Sequence, residues 1–153
     1  VNAEAFTDFV LSTVPPVKNR ADIFGEQLIM DEGDGIIGTQ DLLLTTASGI
    51  SIEKAVQIVG EYGGICYPAH IDRSSYSVIS NLGMITPEMG FKAVEMTAQA
   101  DQNEFKDRYP IIKDMPVIVS SDAHYLENMK EAENTINVSE NSVKAIVDRF
   151  RKL

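Results

Sequence analysis

The sequence predicts an α/β fold with parallel strands, and three observations lead there. The second half alternates helical and extended patterns from Ser51 to the end of the chain, the order expected of βαβ units. Two apolar runs in that half, "GICYPA" and "PVIVSS", are short and continuous, as buried strands are. No internal repeat, low-complexity tract or linker interrupts the pattern, and 153 residues suit one domain spanning 1–153.

The elements follow in order. "NAEAFTDFVLSTVPP" carries Phe6, Phe9, Val10 and Val14 at helical spacing, and Pro15-Pro16 stops it. "GEQLIMDEGDGIIGT" reads as a β-hairpin, two apolar runs around a turn whose glycines supply positive φ. "DLLLTTASG" is a connector. "SIEKAVQIVGEYGG" is the clearest helix. Ser51 is its N-cap, Glu53 complements the dipole, and Ile52, Ala55, Val56, Val59 and Tyr62 form one face before Gly63.

"GICYPA" then reads as a strand, "SSYSVISNLG" as a short helix ending near Gly83, and "FKAVEMT" as a strand. "DQNEFKDRYPII" is a helix broken at Pro110, followed by the strand "PVIVSS". "SENSVKAIVDRFRKL" closes the chain as a helix, with Ser139 as N-cap, Val143, Ile146, Val147 and Phe150 inward, and a basic last turn.

Composition excludes several functions. The net charge of −10 argues against long nucleic acids and anionic membranes as partners. It leaves room for a small phosphorylated ligand, because a bound metal inverts the local charge. No apolar run is long enough for a transmembrane helix, and the first residues have no basic n-region of a secretory signal. A single cysteine, Cys66, rules out an internal disulfide and fits a cytoplasmic setting. The chain also lacks an initiator Met, as a piece of a longer protein or a processed product would.

The chemistry concentrates at two strand ends. The chain has two histidines, and each sits at or just past the carboxyl end of an apolar run: His70 after "GICYPA", His124 in "VIVSSDAHYL". Residues i and i+2 of an extended chain project to the same side, which brings Asp122 and His124 together. A carboxylate and imidazole nitrogens converging at one point suit Zn, Mn or Fe. Ligand sites of parallel α/β folds lie at the carboxyl ends of strands, so His70, Asp122 and His124 are expected on one rim. Each has a plainer reading, as a hydrogen-bonded rim histidine or a loop carboxylate. Their joint placement favours a shared metal site.

Other residues carry weaker signals. Arg73 reads either as a phosphate contact, since a guanidinium binds phosphate oxygens bidentately, or as a solvated loop arginine. Glu95, near the end of "FKAVEM", faces the same rim or serves as a surface or supporting carboxylate. Cys66 lies inside an apolar run and reads as a small buried hydrophobe. "DEGDG" lacks the length and closing Glu of an EF-hand loop, so turn chemistry accounts for it. Ser74, Ser75, Ser120 and Ser121 lack the context of a nucleophile elbow.

"GGICYPAHIDRSSYS" and "VSSDAHYL" resemble the third and fourth motifs of the PHP (polymerase and histidinol phosphatase) superfamily. "PPVKNRADIFGEQLIMDEGDGIIG" is similar to the middle segment of bacterial stand-alone PHP proteins, so the resemblance covers nearly the whole chain. It implies a distorted (β/α)7 barrel with helices outside and a cluster of up to three divalent metal ions at the strand ends. The implied activity is phosphoester hydrolysis by a metal-activated water. Carried over by motif, His70 is the third-motif ligand, and Asp122 and His124 are the fourth-motif ligands.

The family's H-x-H pair, its second Asp-His motif and its bridging Glu have no counterpart here, because the chain has two histidines. The expectations are therefore a partial barrel, a C-terminal portion of a longer protein, and an isolated chain that is inactive or nearly so. An uncovered barrel edge would favour self-association. The alternatives are a PHP-derived binding or regulatory module without catalysis, and an α/β domain whose histidines coincide by chance.

Overall fold

A computed structural model describes residues 2–131 and 135–152. The chain forms two compact units, Asn2–Ser51 and Ile52–Leu153.

In the first unit, helix α1 spans Ala3–Thr13. The Asn2 side chain accepts from the Ala5 N–H at 3.2 Å, satisfying a donor that the first turn leaves free. The helix stops before the two prolines, as their rings require. A single turn, α2 (Ala21–Phe24), precedes the expected hairpin. Strands β1 (Leu28–Met30) and β2 (Ile36–Thr39) pair antiparallel, with Leu28 opposite Thr39.

The hairpin turn is built by Asp31, whose Oδ1 accepts from the N–H of Gly33 at 2.9 Å and of Gly35 at 2.8 Å. A Cβ on Gly35 would stand 2.8 Å from Asp31 Oδ2 and push that carboxylate aside, and the positive φ expected of the turn glycines is taken by Asp34, at 61°. At the open end, the Gln27 amide donates to the carbonyls of Gln40 and Leu42 at 2.8 and 2.6 Å and accepts from the Leu44 N–H at 2.9 Å. The hairpin is thus tied by polar bonds, while Ile36 and Ile37 remain 62% and 67% exposed.

The second unit carries the main core. Helix α3 (Ile52–Glu61) is followed by Gly63 at φ 84°, the left-handed conformation that ends a helix. Ile52 and Val56 on α3 pack against a cluster of Ile71, Ile85, Met89, Phe91, Val94, Met96 and Ile112. Helix α4 (Val78–Leu82) is held by a reciprocal cap between Ser77 and Ser80 and ends at left-handed Gly83. Strand β3 is Val94–Thr97. Helix α5 (Gln102–Arg108) is capped by Asp101, and the chain tightens into a 3₁₀ turn at Pro110–Ile112. Strand β4 (Val117–Ser120) pairs parallel with β3, Val94 opposite Val117 and Thr97 opposite Ser120.

Helix α6 (Val143–Arg151) starts at Ser142, whose hydroxyl accepts from the Ala145 N–H at 3.1 Å. The N-cap is therefore Ser142 and not Ser139, because its hydroxyl is the one that reaches the first turn. Ala145 is the buried residue of this helix, whereas Val143 and Ile146, expected inward, are exposed. The expected last residue of the helix, Leu153, lies outside the described residues, as does Val1.

The barrel implied by the family resemblance is not formed. Among the described residues the strands make two two-stranded sheets, β1–β2 antiparallel and β3–β4 parallel. A barrel needs one continuous sheet of tilted strands closed on itself, and neither pair extends to a third strand among the described residues. One missing strand has a local cause. "GICYPA" runs beside β3 but bonds it only through Glu95, whose N–H donates to Pro68 O at 3.0 Å and whose carbonyl accepts from Ile71 N at 2.9 Å. A parallel ladder joins one residue to partners two positions apart; Pro68 and Ile71 are three apart. The extra residue breaks the register, and His70 sits within the break at φ 27°.

Candidate functional site

The site is assembled at the ends of β3 and β4. Val94 and Met96 of β3 face the core and are fully buried, so Glu95 and Thr97 face the other way. Each flanking segment is pinned to that second face by a side chain. The Asp72 carboxylate accepts from the Thr97 N–H at 2.9 Å and the Thr97 hydroxyl at 2.5 Å. The Ser120 hydroxyl donates to Glu95 Oε1. These bonds hold the loop that bears His70 and the strand end that leads to Asp122.

His70 and Asp122 come together there. His70 Nε2 lies 4.0 Å from Asp122 Oδ2, and both side chains are largely shielded from solvent. Both residues have left-handed backbone, φ 27° for His70 and 47° for Asp122. Such a conformation costs an L-residue about 1–2 kcal/mol, and strain of this kind collects at functional sites. The ring nitrogen near Asp122 is Nε2; His70 Nδ1 is buried and has no hydrogen-bond partner among the described residues.

His124 is the third expected donor. Its Nδ1 lies 4.0 Å from Asp122 Oδ1 and 2.9 Å from the Asp122 carbonyl oxygen. A carbonyl only accepts, so that contact puts the proton on Nδ1 and leaves the lone pair on Nε2. Metal-binding histidines are oriented in this way by a backbone carbonyl. The ring is mostly exposed, so its Nε2 is open to a ligand.

Arg73 reaches the same carboxylate: its Nη1 donates to Asp122 Oδ2. In this structure the guanidinium is the cation beside Asp122, and the expected phosphate contact is paired with a protein carboxylate. Glu95 has Ser120 as its partner, which makes it a support for the strand end. Its charge also adds to the effect of burial in raising the Tyr67 phenol above its ordinary pKa. Asp72 and Ser77 escaped the sequence reading. Asp72 follows His70 in what reads as a solvated loop, and only the fold brings Thr97 to it.

The residues suit a divalent ion in kind, two imidazoles and a carboxylate. Among the described residues, no group of three or more His, Cys, Asp or Glu side chains is gathered closely enough to hold a metal.

Cys66 is partly buried and packs against the core, and burial pushes its thiol above the ordinary value. No helix among the described residues is long and apolar enough to cross a membrane. Compared with known proteins, the chain matches no family model, no curated protein and no solved structure.

Proposed function

We propose that this chain contributes His70, Asp122 and His124 to a divalent metal centre, with Zn, Mn or Fe, that hydrolyses a small phosphorylated substrate in the cytoplasm, and that it derives from the PHP superfamily. One observation carries the reading: a histidine and an aspartate remote in sequence meet at 4.0 Å, both in left-handed backbone, at the end of a parallel strand pair. A bound ion would supply an activated water and offset the charge that develops on the phosphoryl oxygens.

The chain's own residues have distinct tasks. Asp122 supplies anionic oxygen, His70 a shielded imidazole, and His124 a lone pair fixed by its bond to a backbone carbonyl. Arg73, once free of Asp122, binds a phosphate oxygen. Three donors leave coordination positions to water or to donors from elsewhere, so the isolated chain turns over little or no substrate.

Calorimetric titration with zinc and manganese, paired with hydrolysis of p-nitrophenyl phosphate, tests this. The wild-type chain binds an ion; His70→Ala and Asp122→Ala, shown folded by circular dichroism, do not; hydrolysis stays near background in all three. A wild-type chain that binds neither metal rejects the centre. Robust hydrolysis lost in Asp122→Ala rejects the claim that the isolated chain is inactive.

A second reading, a PHP-derived binding module without catalysis, is favoured by Arg73, which neutralises Asp122 without a metal. It predicts that substitution of Asp122 leaves metal affinity unchanged.

A further inference from the structure

We propose that the cavity bordered by α3, the "GICYPA" segment and α6 is a second binding site, for a small aromatic carboxylate of about the size of benzoate. The cavity lies within the unit Ile52–Leu153 and involves none of the residues at the strand ends.

Its volume is about 170 Å³. A dry apolar cavity of about 150 Å³ holds benzene, so a single aromatic ring fits here. The walls have the matching chemistry. Val56, Ile65 and Ala93 are aliphatic, and Tyr67 and Phe150 form an aromatic side, their ring centroids 6.2 Å apart and their planes inclined by 30°. A further ring packs favourably on such a pair. Cys66 also lines the wall. Burial pushes its thiol and the Tyr67 phenol above their ordinary pKa values, with Glu95 adding to the effect on Tyr67, so neither puts a negative charge on the wall.

Two cations stand at the mouth. Lys92 and Arg151 border the cavity and are exposed, and among the described residues neither forms an ion pair. Asp148, one turn before Arg151 on α6, accepts from Lys144 at 2.5 Å. Arg151 Nη2 donates to the carbonyls of Gly60 and Gly64, both at 3.3 Å. Those carbonyls stand at the negative end of α3, and the guanidinium offsets them. Lys92 is thereby left as the cation for a carboxylate. A neutral ring would leave its charge unanswered, and an amine would meet a like charge. An apolar cavity edged by cations in a chain of net charge −10 selects an anion with an apolar body.

Benzoate, benzyl alcohol and benzylamine share a ring and differ in charge. Cys66 is the one cysteine of the chain, so N-ethylmaleimide labelling of the full chain reads the cavity from its wall. At fixed ionic strength, benzoate slows labelling at about ten-fold lower concentration than benzyl alcohol, and benzylamine has no effect. Ten-fold is about 1.4 kcal/mol, the size of a hydrogen bond to a charged group. In Lys92→Gln, benzoate and benzyl alcohol become equal. Arg151→Gln bares the α3 carbonyls and weakens benzoate as well. The wild-type comparison needs no substitution, so it decides the matter even if Arg151→Gln fails to fold. Equal effects of benzoate and benzyl alcohol on wild type reduce the cavity to unselective apolar space and overturn the proposal. Labelling indifferent to all three compounds overturns it too, as does a preference for benzoate that survives Lys92→Gln.

Discussion

Thr97 gives both of its donors to Asp72, the backbone N–H at 2.9 Å and the hydroxyl at 2.5 Å, and so ties the loop after His70 to the end of β3. Asp72→Ala leaves the Thr97 N–H and hydroxyl without their charged acceptor. Its cost is about 1–3 kcal/mol of stability, because hydrogen bonds to a charged group are strong and an orphaned donor adds a desolvation penalty. Urea unfolding of wild type, Asp72→Ala, Thr97→Val and the double variant measures it. A double variant that loses the sum of the two single losses would show that the contact is not coupled.

Tyr76 has φ 57° and is 87% exposed, so its backbone bears strain that side-chain packing does little to offset. Asparagine tolerates the left-handed region, and a β-branched residue tolerates it least. Tyr76→Asn gains about 0.5–1 kcal/mol, and Tyr76→Val loses a comparable amount. The urea midpoints should rank Asn above Tyr above Val. An asparagine variant less stable than wild type contradicts the strain.

Cys66 titrates late because burial disfavours its thiolate. The folded value lies above the unfolded one, so the folded chain holds this proton more tightly. The stability it contributes is complete below the unfolded value and is lost as pH rises through the folded value. At about pH 8.5, where an ordinary thiol is half ionised, iodoacetamide should label the native chain more slowly than the urea-unfolded chain. Equal rates would mean that the thiol is neither shielded nor shifted.

The β1–β2 hairpin exposes Ile36 and Ile37, and its two strands leave both edges unpaired within its sheet. Unpaired strand edges beside apolar side chains recruit other strands. The chain's charge of −10 opposes self-association at low salt, and screening weakens that repulsion. Light scattering should show a mean mass that rises with concentration and with salt, and Ile36→Lys/Ile37→Lys should suppress the rise. A wild-type chain that stays monomeric at high salt refutes the expectation.

What the sequence determined by itself was local. Helical spacing, prolines and the alternation of apolar runs placed α1, α3, the hairpin and the break at Pro110, because such signals act over a few residues. In the hairpin turn, however, it is Asp34 and neither Gly33 nor Gly35 that takes the positive φ expected of glycine. The parallel pairing of β3 with β4 was also legible from the alternation of elements. The approach of both histidines to Asp122 was legible because histidine is rare here and both copies follow apolar runs.

Only the tertiary structure decided the rest. "GICYPA" has the composition of a strand, but its register against β3 slips by one residue, and nothing in its own side chains announces that. The choice of Ser142 over Ser139 as the cap of α6 depends on which hydroxyl reaches the first turn. The pairing of Arg73 with Asp122 spans 49 positions, and that of Asp72 with Thr97 spans 25. Contacts at such separations follow from packing and not from neighbouring residues. That is why His70, Asp122 and His124 could be singled out in advance, while the cation that holds Asp122 could not.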